Sequence, residues 1–189
     1  MTNEEATKYI QTYYMKTNVY YHIWAPADTD MWKLMVDEQI KRLYRSGLPE
    51  IATVKCAING PQASRIAEFV SLYDWINILG VRDSDEEYEG FTLKHLYEDC
   101  VNERATKVMY FHTKGISHMC GTRDHYSDRK VRAINSWRHL MEWGCVDKWK
   151  ENLDKLDEYQ VSGVNYCFCL LYTSPSPRDI SGSRMPSSA

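Results

Sequence analysis

The sequence predicts an α/β domain in which a mostly parallel sheet is covered by helices on both faces. Short runs rich in β-branched and aromatic residues alternate along the chain with stretches that carry apolar residues at helical spacing. The connections between them are short, and parallel strands need crossover helices to join them. The chain has 189 residues, of which 43% are hydrophobic and 26% charged, and this fits a single globular domain.

Each element follows from a local pattern. Strands are predicted at residues 18–25, 51–58, 75–81, 107–113 and 161–168. Apolar spacing predicts helices at residues 32–44, 61–73, 92–101, 128–143 and 147–159. Gly47 and Pro49 end the first helix, and Pro61 suits the first turn of the second. Thr92 is predicted to cap the third helix. The apolar residues of that helix share one side: Leu93, Leu96, Tyr97, Cys100 and Val101.

Charge and cysteine content exclude several classes of protein. A net charge of −3 gives no general attraction to nucleic acid, so no nucleic-acid partner is expected. No apolar run approaches the roughly 20 residues that span a bilayer. The N-terminus also lacks the layout of a signal peptide, so we predict no transmembrane segment and a cytoplasmic location. The six cysteines are scattered without a CxxC pair, which favours reduced thiols over disulfides or zinc ligands.

Composition divides the chain into three parts. Residues 1–17 are interpreted as an N-terminal extension and residues 18–168 as the α/β domain. Residues 169–189 are dominated by serine and proline and carry no strand or helix period, which is typical of a disordered tail. A second interpretation, which we favour, is that CLLYTSPSPRD, a short insert and SRMPSSA resemble a translated sequencing adapter. The natural protein would then continue beyond Phe168, and the domain would be truncated here.

The stretch VMYFHTKGIS, residues 108–117, ends an apolar strand with polar residues. Ligands of open parallel sheets bind outside the carboxyl ends of the strands. Lys114 offers three hydrogen-bond donors, and Gly115 lets another group approach the backbone closely, so the stretch predicts a site for a diphosphate or sugar phosphate. His112 shares its strand face with Tyr110 and is predicted to point into the fold or a cleft. A polar turn with a half-buried structural histidine is the alternative.

Two charged segments supply further candidates. The loop after the third strand carries five carboxylates: Asp83, Asp85, Glu86, Glu87 and Glu89. Asp85 and Glu89 are candidate general bases, and paired carboxylates there could also ligate a divalent ion. Arg138 follows Trp137 in a basic-rich segment, and its planar fork matches phosphate geometry. The alternatives are a solvated loop and a solvated helix face. P-loop, GxGxxG, HExxH and GxSxG motifs are absent, which argues against common kinase, dehydrogenase, zinc-protease and hydrolase functions.

Four short motifs together resemble a known family. They are YEGFTL at 88–93, VMYFHTKG at 108–115, WR at 137–138 and GVN at 163–165. The succession resembles glycosyltransferase-like proteins with an HTKG signature, related to the rhamnan-synthesis F-type glycosyltransferases. The resemblance spans roughly Asn18 to Cys167. It implies a GT-A-like, Rossmann-related sheet, a nucleotide-diphospho-sugar donor and a glycan acceptor, in polysaccharide biosynthesis.

The sequence departs from the wider GT-A pattern in two places. Such enzymes usually carry a DxD metal motif after the fourth strand, where this chain has His112, Thr113 and Lys114. The need for divalent manganese or magnesium is therefore left open. Family members also tend to continue after the GVN strand into a segment like HFSGNFWW on the acceptor side, which the serine- and proline-rich tail replaces here.

The resemblance implies roles for individual residues in a hexosyl or deoxyhexosyl transferase. Lys114, together with Arg138, would neutralise the leaving diphosphate. His112 and Thr113 would position the donor, and Glu89 or Asp85 would act as the base. Without the acceptor side the chain is expected to be inactive. Two other functions stay open: a noncatalytic module that binds a nucleotide or sugar phosphate, and a protein-interaction domain that uses exposed aromatic residues.

Overall fold

The computed structural model describes residues 2, 17–27, 30–84, 86–103, 107–113, 115–116 and 129–163. The strands are β1 Thr17–Trp24, β2 Ala52–Asn59, β3 Ile76–Arg82 and β4 Lys107–His112. The helices are α1 Met31–Arg45, α2 Ala63–Val70, α3 Gly90–Glu103, α4 Arg129–Glu142 and α5 Trp149–Lys155. A 3-10 turn, Leu48–Glu50, precedes β2, and a π-helical turn, Trp143–Asp147, joins α4 to α5.

The four strands form one parallel sheet in the order β3-β2-β1-β4, which confirms the predicted fold class. Each of the first four predicted strands lies within one residue of its observed bounds. The fifth, at residues 161–168, is not confirmed, since residues 161–163 are in no strand and the rest lie outside the described residues. The tail at 169–189 also lies outside them.

The face of the sheet under α1 and α2 is the apolar core. Val19, Tyr21 and Ile23 of β1 are completely buried on this face. The ring of Tyr21 stacks on Phe111 of β4 with centroids 4.3 Å apart. Its hydroxyl donates to Gln39 of α1 at 2.7 Å, so the polar end of this aromatic residue is satisfied inside the core. These contacts fix β1 and β4 against the same helix.

The opposite face of the sheet is polar. Side chains alternate along a strand, so Tyr20 and His22 of β1 and Lys55 of β2 point away from the apolar core. Asp99 of α3 accepts hydrogen bonds from Lys55 at 2.7 Å and from Tyr20 at 2.8 Å. Burial raises the pKa of Asp99, but these two bonds outweigh it and hold that pKa below its usual value. Helix α3 therefore contacts β1 and β2 through ionic and polar side chains, while the ring of its Phe91 lies against Gly80 of β3.

The orientation of α3 differs from the usual rule that an apolar stripe faces the core. Leu93, Tyr97 and Val101 are 43%, 69% and 60% exposed. Phe91 and Thr92, at the start of the helix, are the buried residues instead. The predicted capping role of Thr92 is wrong, because the helix begins at Gly90 and the Thr92 hydroxyl lies 2.7 Å from Nδ1 of His22. The polar inner side of α3 matches the polar face of the sheet.

The strand order places one crevice at the carboxyl edge of the sheet. From β1 the chain moves outward to β2 and β3, and then returns through α3 to β4 on the other side of β1. The order therefore reverses between β1 and β4, and ligands of doubly wound sheets bind at this kind of reversal. No helix within the described residues is long and apolar enough to cross a membrane.

Candidate functional site

The polar end of the HTKG element lies at the reversal of strand order. His112 is the last residue of β4 and is paired in register with His22 of β1. Strands in a sheet are about 4.8 Å apart, so the two imidazoles are neighbours on the polar face. The sequence analysis placed His112 at a strand end, and the structure adds that this end adjoins β1.

Glu89 lies against His112. Its Oε1 is 2.8 Å from Nδ1 of His112, and the two side chains are 50% and 14% exposed. An imidazole N–H donates to a carboxylate, so Glu89 accepts the hydrogen bond from Nδ1–H of His112. The pair brings a candidate base and a candidate substrate-binding residue together across 23 residues of sequence. The loop after β3 has thus crossed the sheet edge to reach β4.

The backbone beside Glu89 has an unusual conformation. Tyr88 has φ +40°, a left-handed value that bulky residues rarely adopt. Its carbonyl accepts a hydrogen bond from Nδ2 of Asn59, the last residue of β2, at 3.0 Å. It also accepts one from the backbone of Phe91 at 3.3 Å. Strained backbone of this kind is concentrated at functional sites.

His22 forms the floor beneath the pair. It is 2% exposed, and its Nδ1 is 2.7 Å from the hydroxyl of Thr92. Burial, and in second place the charge of His112, lower the pKa of His22 to about 4, although Glu89 acts in the opposite direction. His22 is therefore neutral at pH 7 and forms a hydrogen bond without adding charge to the site.

Tyr110 lies two residues before His112 on β4 and on the same face of the sheet. Its ring stacks on that of His112 with centroids 5.8 Å apart and an interplanar angle of 28°. The Tyr110 hydroxyl is buried, and no described residue bonds it. Burial, assisted by the charge of Glu89, raises the pKa of Tyr110 well above its usual value. Tyr110 is thus a neutral phenol with hydrogen-bonding capacity to spare.

Thr113 and Gly115 have structural contacts of their own. The Thr113 hydroxyl accepts the backbone N–H of Trp24 at 3.1 Å, and the Thr113 N–H donates to the carbonyl of His22 at 3.1 Å. Thr113 thereby extends the pairing of β1 and β4 past the last residue of β4. Gly115 has φ +85°, and a Cβ there would lie 2.3 Å from Cγ2 of Ile134 on α4. The glycine is therefore required by its conformation and by the closeness of α4.

Two of the predicted site residues, Lys114 and Asp85, lie outside the described residues. Other carboxylates of the same loop have identified partners. Asp83 accepts hydrogen bonds from the N–H and hydroxyl of Ser64 at the start of α2, at 3.1 and 2.8 Å. Glu87 forms a solvent-exposed ion pair with Arg82 at 2.6 Å. Glu89 is therefore the described carboxylate of this loop that reaches the HTKG element.

Arg138 belongs to a different network. It is 4% exposed, and its guanidinium donates to Glu142 at 2.8 Å and to Glu38 of α1 at 3.1 Å. Glu142 also accepts from Gln39 at 2.7 Å and from Arg42 at 3.1 Å. These bonds tie α4 to α1 behind the apolar core. Arg138 is thus committed to two carboxylates, and neutralising a diphosphate would require it to leave one of them.

One group of side chains has the spacing of metal ligands. Glu38, His139 and Glu142 each offer an atom, and these atoms lie within 4.8 Å of one another. The same carboxylates already bind the guanidinium groups of Arg138 and Arg42. Two cations in place disfavour a third. The group lies on α1 and α4, and Gln39 links it to the end of β4 by donating to both Glu142 and the carbonyl of His112.

The cavities are small or remote from the strand ends. One of about 30 Å³ lies between β4 and α4, beside His112, Arg138 and Cys145. It has room for about two water molecules, whereas ligand pockets measure roughly 300–1,000 Å³. A groove of about 480 Å³ lies beside Arg42 and Arg45, at the far end of α1. Neither of these two cavities is a ligand-sized pocket at the described carboxyl ends of β1 and β4.

Sequence reasoning missed two residues of the site. His22 lies in the predicted first strand, and it interrupts an apolar and aromatic run in VYYHIWA. A lone titratable residue in such a run was the available signal. In the sequence, Asn59 is only part of the Asn59-Gly60-Pro61 segment that opens the second predicted helix, and no local pattern points to its bond with Tyr88.

Comparison with known proteins identifies the family of the chain. Residues 20–164 match the model of a domain of unknown function, DUF8361. The match covers most of the chain, which therefore belongs to this family. No curated protein and no solved structure matches the chain. The matched region contains Glu89, His112 and Arg138, so the site is part of the family's domain.

Proposed function

We propose that this protein is a glycosyltransferase that moves a sugar from a nucleotide-diphospho-sugar to a glycan hydroxyl. The observation that carries the proposal is the Glu89–His112 pair at the reversal of strand order between β1 and β4. A base, a polar strand end and the HTKG element converge where doubly wound sheets bind nucleotides. The proposal includes a cytoplasmic location.

In the reaction, the acceptor hydroxyl oxygen attacks the anomeric carbon of the donor sugar. The bond from that carbon to the diphosphate breaks, and the nucleoside diphosphate leaves with the electron pair. Glu89 is half-exposed at the edge of the site, and it takes the proton of the acceptor hydroxyl. His112 holds the carboxylate in place through Nδ1, and Lys114 carries the charge that stabilises the leaving diphosphate. Thr113 and Gly115 flank Lys114 in the sequence.

Nucleotide binding is the direct test, because it does not require the acceptor. We expect UDP or dTDP to raise the melting temperature of the protein, and Lys114→Ala to abolish the rise. Lys94→Ala removes an exposed lysine from α3 and is the matched control, which should keep the full rise. In a version of the protein that includes the acceptor side, transfer of a radiolabelled sugar should be lost in Glu89→Gln, while nucleotide binding persists. A Lys114→Ala protein with an unchanged nucleotide response would refute the proposed phosphate site.

A noncatalytic nucleotide-binding or sugar-phosphate-binding module is the second candidate. The burial of Arg138 among carboxylates favours it, since one of the two cations expected to stabilise the leaving group is occupied. This candidate predicts the same nucleotide response and the same loss in Lys114→Ala. It differs in that no nucleotide-sugar is turned over, with or without glycan acceptors.

A further inference from the structure

Asn59 occupies a position where its amide is only half satisfied. It is 1% exposed at the carboxyl end of β2, and its Nδ2 donates to the carbonyl of Tyr88. Its Oδ1 is buried, and no described residue donates to it. A buried acceptor without a partner destabilises a fold, and an apolar residue of similar size would avoid that cost. The donor half of the amide is therefore the part that the structure uses.

The bond from Asn59 holds the conformation at Tyr88. A left-handed φ is unfavourable for tyrosine, and such a residue persists only where its surroundings impose the conformation. The carbonyl of Tyr88 receives both Asn59 and the N–H of Phe91, in the first turn of α3. The loop has further side-chain contacts, in which Asp83 accepts hydrogen bonds from Ser64 and Glu87 pairs with Arg82. Both of these contacts are solvent-exposed, so they restrain the loop weakly.

The conformation at Tyr88 sets the direction of the next side chain. Glu89 leaves the backbone directly after the left-handed residue, and its carboxylate meets His112 at 2.8 Å. The helix α3 begins at Gly90, so Glu89 lies between the left-handed residue and the helix with few torsions that could correct an error in direction. A change at Asn59 is transmitted to Glu89 through the backbone of a single residue.

We infer that Asn59 is a positioning residue, whose amide holds the turn at Tyr88 and thereby aims the Glu89 carboxylate at His112. This inference rests on the proposed function only for its catalytic meaning. Asn59 touches neither substrate nor reacting atoms in that scheme. The contact that it controls can be measured on the protein without any ligand.

The experiment uses ¹⁵N NMR at neutral pH to determine which ring nitrogen of His112 carries the proton. In the wild type, Glu89 should hold the proton on Nδ1, and Glu89→Leu, which removes the acceptor, should shift the ring toward the tautomer protonated on Nε2. We expect Asn59→Leu and Asn59→Ala to give the same change as Glu89→Leu. Adding Tyr88→Gly to Asn59→Leu should restore much of the Nδ1 form, because glycine adopts the left-handed conformation without support.

Asn152→Leu is the matched control. Asn152 also donates Nδ2 to a backbone carbonyl, that of Gly144, at 2.6 Å, but it lies on α5. It should leave the His112 spectrum unchanged. A folded Asn59→Leu protein with a wild-type His112 spectrum would overturn the inference. Failure of both Asn59 variants to fold, with Asn152→Leu folded, would also count against it, because Asn59 would then be a general structural residue.

The outcome is separable from that of the proposed function. The tautomer of His112 can depend on Asn59 even if no nucleotide binds, and nucleotide binding through Lys114 can occur even if the tautomer is unaffected. If both hold, Asn59→Leu should lower the rate of sugar transfer as Glu89→Gln does, with nucleotide affinity changed less than about twofold.

Discussion

At the scale of single residues, His22 couples the site to pH. Its folded-state pKa of about 4 lies below the unfolded value near 6.5, so the unfolded chain binds the extra proton between these limits. The stability that depends on neutral His22 is therefore fully present above about pH 6.5 and is lost as the pH drops toward 4. By pH 4, this one group lowers the free energy of unfolding by about 3 kcal/mol.

Urea denaturation at a series of pH values measures this contribution. The wild-type free energy of unfolding should fall by about 2 kcal/mol more than that of His22→Asn between pH 7 and pH 5. Equal slopes in the two proteins would show that His22 is accommodated as a cation in the fold.

Gly115 allows a second prediction at this scale. Alanine there would meet Ile134 and would also adopt φ +85°, so Gly115→Ala should destabilise the protein by about 2 kcal/mol or more. In an Ile134→Ala background the steric part disappears, and the cost should fall to about 1 kcal/mol. Chemical denaturation of the wild type, the two single variants and the double variant measures both costs. A cost that does not depend on residue 134 would mean that α4 does not pack on the HTKG turn.

How much of the site could be predicted differs from residue to residue. Strand alternation correctly placed His112 beside Tyr110, because a period of two is a local property. The partners of Arg138 include Glu38, 100 residues away, and no local pattern carries that information. The pairing of Asn59 with Tyr88 is similarly nonlocal. The residue types in the motifs predicted which side chains are candidates for the site. The contacts between those side chains could not be predicted, because they depend on the tertiary structure.

At the scale of elements, α3 departs furthest from expectation. The bounds of the first four strands were predicted within one residue, since apolar runs flanked by turn residues are strong local signals. The outward apolar side of α3 was not predictable from its own sequence. It depends on the polar face of the sheet, where Lys55, Tyr20 and His22 select Asp99 and Thr92 as inner residues.

Substitutions on α3 test this orientation. Leu93→Gln, Tyr97→Gln and Val101→Thr should each change the free energy of unfolding by less than about 0.5 kcal/mol, because these side chains are exposed. Phe91→Ala should cost about 3 kcal/mol or more, because that ring is 5% exposed. Thermal or urea unfolding distinguishes the two groups. Large losses at positions 93, 97 and 101 would mean that this side of α3 is covered.

At the scale of the whole molecule, the parallel α/β architecture was predictable and the strand order was not. Alternating strands and helices imply parallel pairing, but several orders satisfy the same alternation. The observed order β3-β2-β1-β4 makes β4 adjacent to β1 and brings His112 beside His22. The functional edge is thus a property of the topology, to which the loop carrying Glu89 is fitted.

Titration of UDP into the ¹⁵N-labelled protein, followed by amide shifts, tests whether a nucleotide binds at the carboxyl edge of the sheet. Binding at the carboxyl ends of β1 and β4 predicts saturable shifts at His22, Trp24, Glu89 and His112, which disappear in Lys114→Ala. Residues at the far end of α1, such as Arg45, should not move. Saturable shifts confined to that far end, or no shifts at millimolar UDP in a folded protein, would contradict a nucleotide site at this edge of the sheet.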